Sequence, residues 1–191
     1  TFFILKNITI DLLFYTILIS AAFFLFFTTL KELFFQKFNN TPQVIAHFGF
    51  SLFILSILFN GILSSEITTN IKVGDKYVYD EGYILFEKIE EKKESNFNSI
   101  IGYFKIVNNE GKIVELSPEI RFYNQPIITT SEADIKTTLL EDKFLVMNIV
   151  KGNEYFNIKY QVKPFMLWIW ISVLLLSFGG LMSLFKWKYE K

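Results

Sequence analysis

The chain has no cysteine and a single histidine, His47, in 191 residues. Without thiols it holds no disulfide, no CxxC redox pair, no thiolate nucleophile and no covalent haem-attachment site of its own. One imidazole excludes a multi-histidine metal cluster built from this chain alone. A surplus of either charge is missing too, since 19 basic residues balance 19 acidic ones. No phosphate-binding glycine loop occurs, internal repeats are absent, and nothing in the charge pattern favours a nucleic-acid partner.

What is present is apolar. Hydrophobic residues make up 51% of the chain and aromatic ones 18%, including 23 phenylalanines. That is too apolar for an ordinary soluble domain and too charged for a protein wholly within a membrane. The charges are segregated. Residues 64–162 hold 16 acidic and 12 basic residues, a net of −4, whereas the remainder holds 3 acidic and 7 basic, a net of +4.

Three runs, 8–30, 44–63 and 164–185, reach the roughly 20 residues needed to cross the hydrocarbon core. Short loops rich in lysine stay on the cytoplasmic side. Lys31 and Lys37 follow the first run, and Lys186, Lys188 and Lys191 follow the third. The expected arrangement therefore has the 31–42 loop and the C-terminus inside and residues 64–162 outside. Trp168 and Trp170 suit the outer interface, and Trp187 and Tyr189 the inner one. The chain starts at Thr1 rather than Met, and the first run carries Asp11, is too long for a signal-peptide core and lacks a small-residue cleavage site. It reads as a membrane span in a piece of a longer protein.

Between the second and third runs the pattern changes to period two. "NIKVGDKYVY", "YILFEKIE", "IIGYFKIVNNEGKIVEL", "KFLVMNIV" and "YFNIKYQV" alternate apolar with polar residues, and turn signals stand at Gly74-Asp75, Asn109-Glu110-Gly111 and Gly152-Asn153. An antiparallel β domain of seven or eight strands is expected, a sandwich or partly open barrel, because sheet edges must be closed or covered. The charged stretch 87–98, "EKIEEKKESNFN", reads as a solvated hairpin loop. The expected fold class is a membrane protein with three transmembrane helices and an antiparallel β domain inserted between the second and third. Its parts are two helices with a short inside loop (1–63), the external β domain (64–162) and a C-terminal helix with an inside tail (163–191).

Two polar groups interrupt the runs. Asp11 lies close enough to the outer end of the first to reach the interface. His47 is deeper, about 6 to 8 Å along the axis from a helix start near Pro42. An ionisable group within a membrane helix is costly, and it usually faces a bundle interior or serves a function. A neutral imidazole in an apolar site suits haem iron, with Phe48, Phe50 and Phe53 as possible walls for the ring. The alternative is a packing histidine hydrogen-bonded to backbone or to Ser51. A further face, with Gly49, Phe53, Ser56 and Asn60, offers small residues for close helix packing. No carboxylate pair in the β domain has a spacing that marks a catalytic site.

Three blocks, "AHFGFSLFILSI", "EIRFYNQPIITTSEADIKTTLLEDKF" and "KPFMLWIWISVLLLSFGGLMSL", stand in order along the chain. Together they resemble the C-terminal part of the CcmF haem lyases of cytochrome c maturation and their relatives in nitrite reductase assembly, from about Thr41 to Lys191. The resemblance implies that His47, in the Ala46-His47-x-Gly49 piece, is an axial ligand of haem b through the haem iron. The second ligand and the haem-receiving segment would lie in an upstream part outside this chain. It implies partners as well: the membrane, the missing N-terminal part of the same protein, a haem chaperone, apocytochrome c and thiol-handling subunits. The implied setting is a bacterial inner membrane or a mitochondrial one, with the β domain on the periplasmic or intermembrane-space side. The whole protein would join haem to apocytochrome c, and this piece alone would be inactive. The competing reading is a membrane-anchored β domain with a structural or partner-binding role and no haem.

Overall fold

In lipid a backbone must satisfy every N–H and C=O within its own segment, and the apolar runs do so as helices. The computed structural model describes residues 2–35, 41–150, 152 and 154–189, and side chains within 13–35, 41–150, 152 and 154–185. Helix α1 spans Phe2–Phe35, α2 spans Thr41–Leu63 and α3 spans Met166–Tyr189. Within them Leu13–Phe35, Thr41–Leu63 and Met166–Phe185 are long and apolar enough to cross a membrane, and the chain is an integral membrane protein. The side chains of Asp11, Lys37, Trp187 and Tyr189 fall outside the described ones. Pro42 sits in the first turn of α2, where its missing N–H costs nothing. Pro164, expected within the third span, instead ends a strand. Phe165 then turns the chain with a φ of 59°, and the helix starts at Met166.

Contacts divide the chain into two units, residues 64–163 and the remainder. In the helical unit α2 lies between its neighbours. A Cβ added at Gly49 would stand 2.9 Å from the Leu176 nitrogen and 3.1 Å from the Ser172 carbonyl, and one at Gly179 would stand 2.7 Å from the Ala46 nitrogen. These approaches set α2 and α3 backbone to backbone, as small residues permit in membranes. At the other end of the pair, Asn60 Nδ2 donates to the Pro164 carbonyl at 2.7 Å, and the Phe59 and Phe165 rings lie 5.2 Å apart. The two helices are therefore antiparallel. On the side facing α1, the Thr29 and Ser51 hydroxyls approach to 2.6 Å, and Phe26 meets Phe48 at 5.8 Å.

Among the described residues the β unit has ten strands: β1 Ser65–Ile71, β2 Lys76–Tyr79, β3 Gly82–Lys93, β4 Phe97–Asn108, β5 Ile113–Leu116, β6 Glu119–Asn124, β7 Ile127–Glu132, β8 Asp134–Thr137, β9 Glu141–Ile149 and β10 Phe156–Pro164. They form a four-stranded sheet, β1-β10-β9-β8, and a six-stranded one, β2-β3-β4-β6-β7 with β5 on β4. Between the sheets lie Ile71, Ile84, Phe86, Phe104, Leu145, Met147, Ile158 and Tyr160, all buried. The Phe86 and Phe104 rings stack 4.2 Å apart. Gly102 lets this core close, because a Cβ there would meet Met147 Sδ at 2.7 Å.

Strands outnumber the expected seven or eight because β6, β7 and β8, within residues 119–137, lie outside the alternating stretches, and β5 and β6 share one edge of β4. Phe104–Val107 pair with β5, and Phe97–Ile101 pair with β6. Pro118, which cannot donate to a ladder, stands between them and takes a hydrogen bond from the Gly102 N–H. The expected loop at 87–98 is mostly strand. β3 continues to Lys93 paired with β4 after a register shift between Phe86 and Lys88, and its outer part is exposed on both faces, so no apolar alternation marks it. Cross-strand polar contacts line it instead, such as the Tyr103 hydroxyl donating to Glu90 at 3.0 Å and the Lys88 ammonium over the Tyr103 ring.

Candidate functional site

An α-helix places residues three and four apart on one face, and α2 divides its circumference among α1, α3 and an open stripe. Val44, Gly49, Ser51, Leu55 and Ser56 are buried. Gln43, His47, Phe50 and Ile57 are exposed and follow one another at helical spacing, so they form a stripe that neither α1 nor α3 covers. His47 is thus presented outward from the three-helix unit. Ser51, one turn on, is fully buried and engaged elsewhere, with Thr29 and with the Phe48 carbonyl at 2.8 Å. Of the three phenylalanines considered as walls for a ring, Phe50 shares the His47 stripe. Phe48 packs instead on Phe26 of α1, and Phe53 is half-buried on a different face. The face of Gly49, Ser56 and Asn60 is the packing face against α3.

The β unit carries chemistry of another kind. At one end of the sandwich a cavity of about 340 Å³ is lined by Tyr79, Glu81, Glu110, Lys112, Glu141 and Tyr160, among others. Burial pushes the Tyr79 and Tyr160 phenols above their ordinary range. The carboxylates are partly matched, Glu110 by Lys112 at 2.8 Å and Glu141 by Lys143 at 3.0 Å. Among the described residues no three His, Asp or Glu side chains gather in a way that could hold a metal ion.

The middle block of the sequence holds the strands together. Arg121 forks onto Glu119 at 2.8 and 3.0 Å and lies over the Phe97 ring. This guanidinium holds the Glu119 carboxyl below its ordinary range. Asp134 Oδ2 accepts from the Ser117 N–H at 2.6 Å, and Ser131 donates to Asn148 at 2.5 Å. Those bonds fasten the crossing from β7 in one sheet to β8 in the other. Pairings so distant in sequence leave no local signal, and sequence reasoning does not find them.

Residues 62–164 match the family described as the CcmF C-terminal beta-sandwich. The chain is 24% identical over 170 residues to the cytochrome c-type biogenesis protein NrfE of Haemophilus influenzae, covering 88% of this chain and 27% of that protein. It is 27% identical over 154 residues to the cytochrome c-type biogenesis protein CcmF of Escherichia coli, covering 81% and 24%. The chain thus spans about a quarter of the length of these relatives. A solved structure titled cytochrome c heme lyase CcmF superposes with a TM-score of 0.59 at 17% identity, over 87% of this chain and 28% of that one, and shares its fold. With more than half of its residues matched in the β unit and apolar helices on both sides, the chain belongs to the CcmF C-terminal β-sandwich family, among the cytochrome c-type biogenesis and haem lyase proteins.

Proposed function

We propose that this chain is the C-terminal part of a haem lyase subunit and that His47 is one axial ligand of a haem b, the second being supplied by the upstream part of the same protein. One observation carries the reading: α2 turns its imidazole onto a stripe that α1 and α3 leave open, with Phe50 about one turn along it. Those residues fit the group. A haem needs a strong nitrogen ligand and flat apolar walls, and the stripe offers the nitrogen and one wall. When bound, haem b supplies one-electron chemistry, here serving the reduction of the haem to be attached to apocytochrome c.

The remaining work falls to the chain's own residues. Gly49 and Gly179 hold α2 against α3, and the Thr29–Ser51 contact holds it against α1, so that the imidazole is carried by a helix fixed on two sides. Lysine placement supports an external β domain, on the side where a haem chaperone, apocytochrome c and thiol-handling subunits would dock. A periplasm-active reporter fused after Asn109 is expected to be active, and a silent one there would reverse this orientation.

In the complete protein, His47→Ala is expected to lower haem b content and cytochrome c maturation together, each several-fold, with the protein still in the membrane. Loss of one imidazole from so apolar a helix does not impair insertion. An unchanged Soret band in that variant would remove the ligand assignment and return His47 to a packing role.

A further inference from the structure

The turn between β8 and β9 carries two adjacent leucines whose side chains point out of the sandwich. Leu139 is 70% exposed and Leu140 65%. The turn is braced rather than slack. The Thr138 N–H and hydroxyl both donate to the Glu141 carbonyl, at 2.9 and 2.8 Å, and the Glu141 N–H donates back to the Thr138 hydroxyl at 3.1 Å.

Strand direction fixes the end of the sandwich at which this tip lies. The chain enters the β unit at Ser65 and leaves it past Val162, and these two residues are register partners. Both connections to the apolar helices therefore emerge at one end. β9 and β10 are neighbours of 9 residues each, joined by a short turn in which the Val150 N–H donates to the Tyr155 carbonyl. The start of β9 is then level with the finish of β10. Glu141 and Lys143 accordingly line the same cavity as Tyr160 and Val162. The Leu139–Leu140 tip stands where the chain leaves for the bilayer, whereas Ile127, 93% exposed, starts the strand paired with the far end of β6.

We propose that the Leu139–Leu140 tip inserts into the polar–apolar boundary of the bilayer that the flanking helices cross. Isolated exposed leucines are ordinary in water. Two together on a braced turn, at the end of a domain tied twice to a membrane, meet lipid with little further ordering. The neighbouring charges select the lipid. Around the adjoining cavity Asp80, Glu81, Glu110 and Glu141 outnumber Lys112 and Lys143, an excess that repels anionic headgroups. The contact is therefore apolar and made with zwitterionic lipid.

The test uses the complete protein in phosphatidylcholine nanodiscs, with single cysteines introduced as Leu140→Cys or Ile127→Cys and labelled with an environment-sensitive fluorophore. The label at 140 is expected to emit at shorter wavelength than the one at 127 and to be quenched about twofold by doxyl-labelled lipid, with no gain when phosphatidylserine is added. Adding Leu139→Asp should abolish that quenching. Water-like emission at 140 would overturn the proposal. So would a blue shift that doxyl lipid does not quench, since it would mean that protein covers the tip, and so would quenching that grows with phosphatidylserine. None of these readings depends on whether His47 binds haem.

Discussion

The two units of this chain treat apolar side chains in opposite ways. The sandwich encloses Phe86, Phe104, Ile84 and Ile158 completely and turns its lysines and glutamates outward. The helices do the reverse. Phe24, Phe34 and Leu174 stand outside, while Thr29, Ser51, Ser56 and Ser172 are buried between helices. One physical rule with two solvents accounts for both. In water the gain comes from removing apolar area. In lipid the tails are as apolar as leucine, so association rests on close backbone approach and on hydrogen bonds between small polar groups. Burial of a phenylalanine is therefore a measure of its contribution in one unit and not in the other.

Substitutions in the complete protein reconstituted in lipid can break that contrast. The largest effect is expected for Phe104→Ala, at 1% exposure, which leaves a cavity beside Phe86 and should cost the β unit about 3–5 kcal/mol, read from denaturant-dependent proteolysis of residues 64–163. An intermediate effect is expected for Gly49→Leu. Its side chain would run into α3 backbone within 2.9 Å, a strain of about 1–3 kcal/mol, visible as a lower thermal midpoint of the helical unit with the sandwich unchanged. The smallest is expected for Leu174→Ala, at 69% exposure, within about 0.5 kcal/mol of the parent. A Leu174 effect as large as that of Phe104 would mean that another protein segment, and not lipid, covers this face of α3.

Much of this architecture is legible in the sequence because it rests on run length and alternation. Twenty apolar residues can only be a span, and period-two stretches between turn signals can only bury one face. The outer half of β3 is illegible because Glu87–Lys93 lie beyond the core, where both faces are wet and the alternation lapses. Pro164 misleads for a different reason: it adjoins an apolar run, yet it serves as the end of a strand and the acceptor for Asn60, 104 residues earlier. At the candidate site the identity of His47 is legible and its face is not. α2 is apolar nearly all round; its small-residue face of Gly49, Ser56 and Asn60 marks a side for close packing, but nothing local says which helix takes it or where α1 lies. That choice is made by Gly49 and Ser51 finding partners in other helices. The same pairing separates Phe50, which stays beside His47, from Phe48, which does not.

The separation of 104 residues between Asn60 and Pro164 also sets an order of events at the ribosome. Chains grow at about 5–20 residues per second, so α2 waits roughly 5–20 s in the membrane before α3 is made, with the entire β sandwich synthesised in the interval. During that pause the Gly49 face of α2 has not yet met α3. The Ser51 face can meet α1, because Thr29 is already present. The earlier hydroxyl pair can act as a placeholder, orienting α2 in the nascent protein so that the glycine groove is still open when α3 arrives.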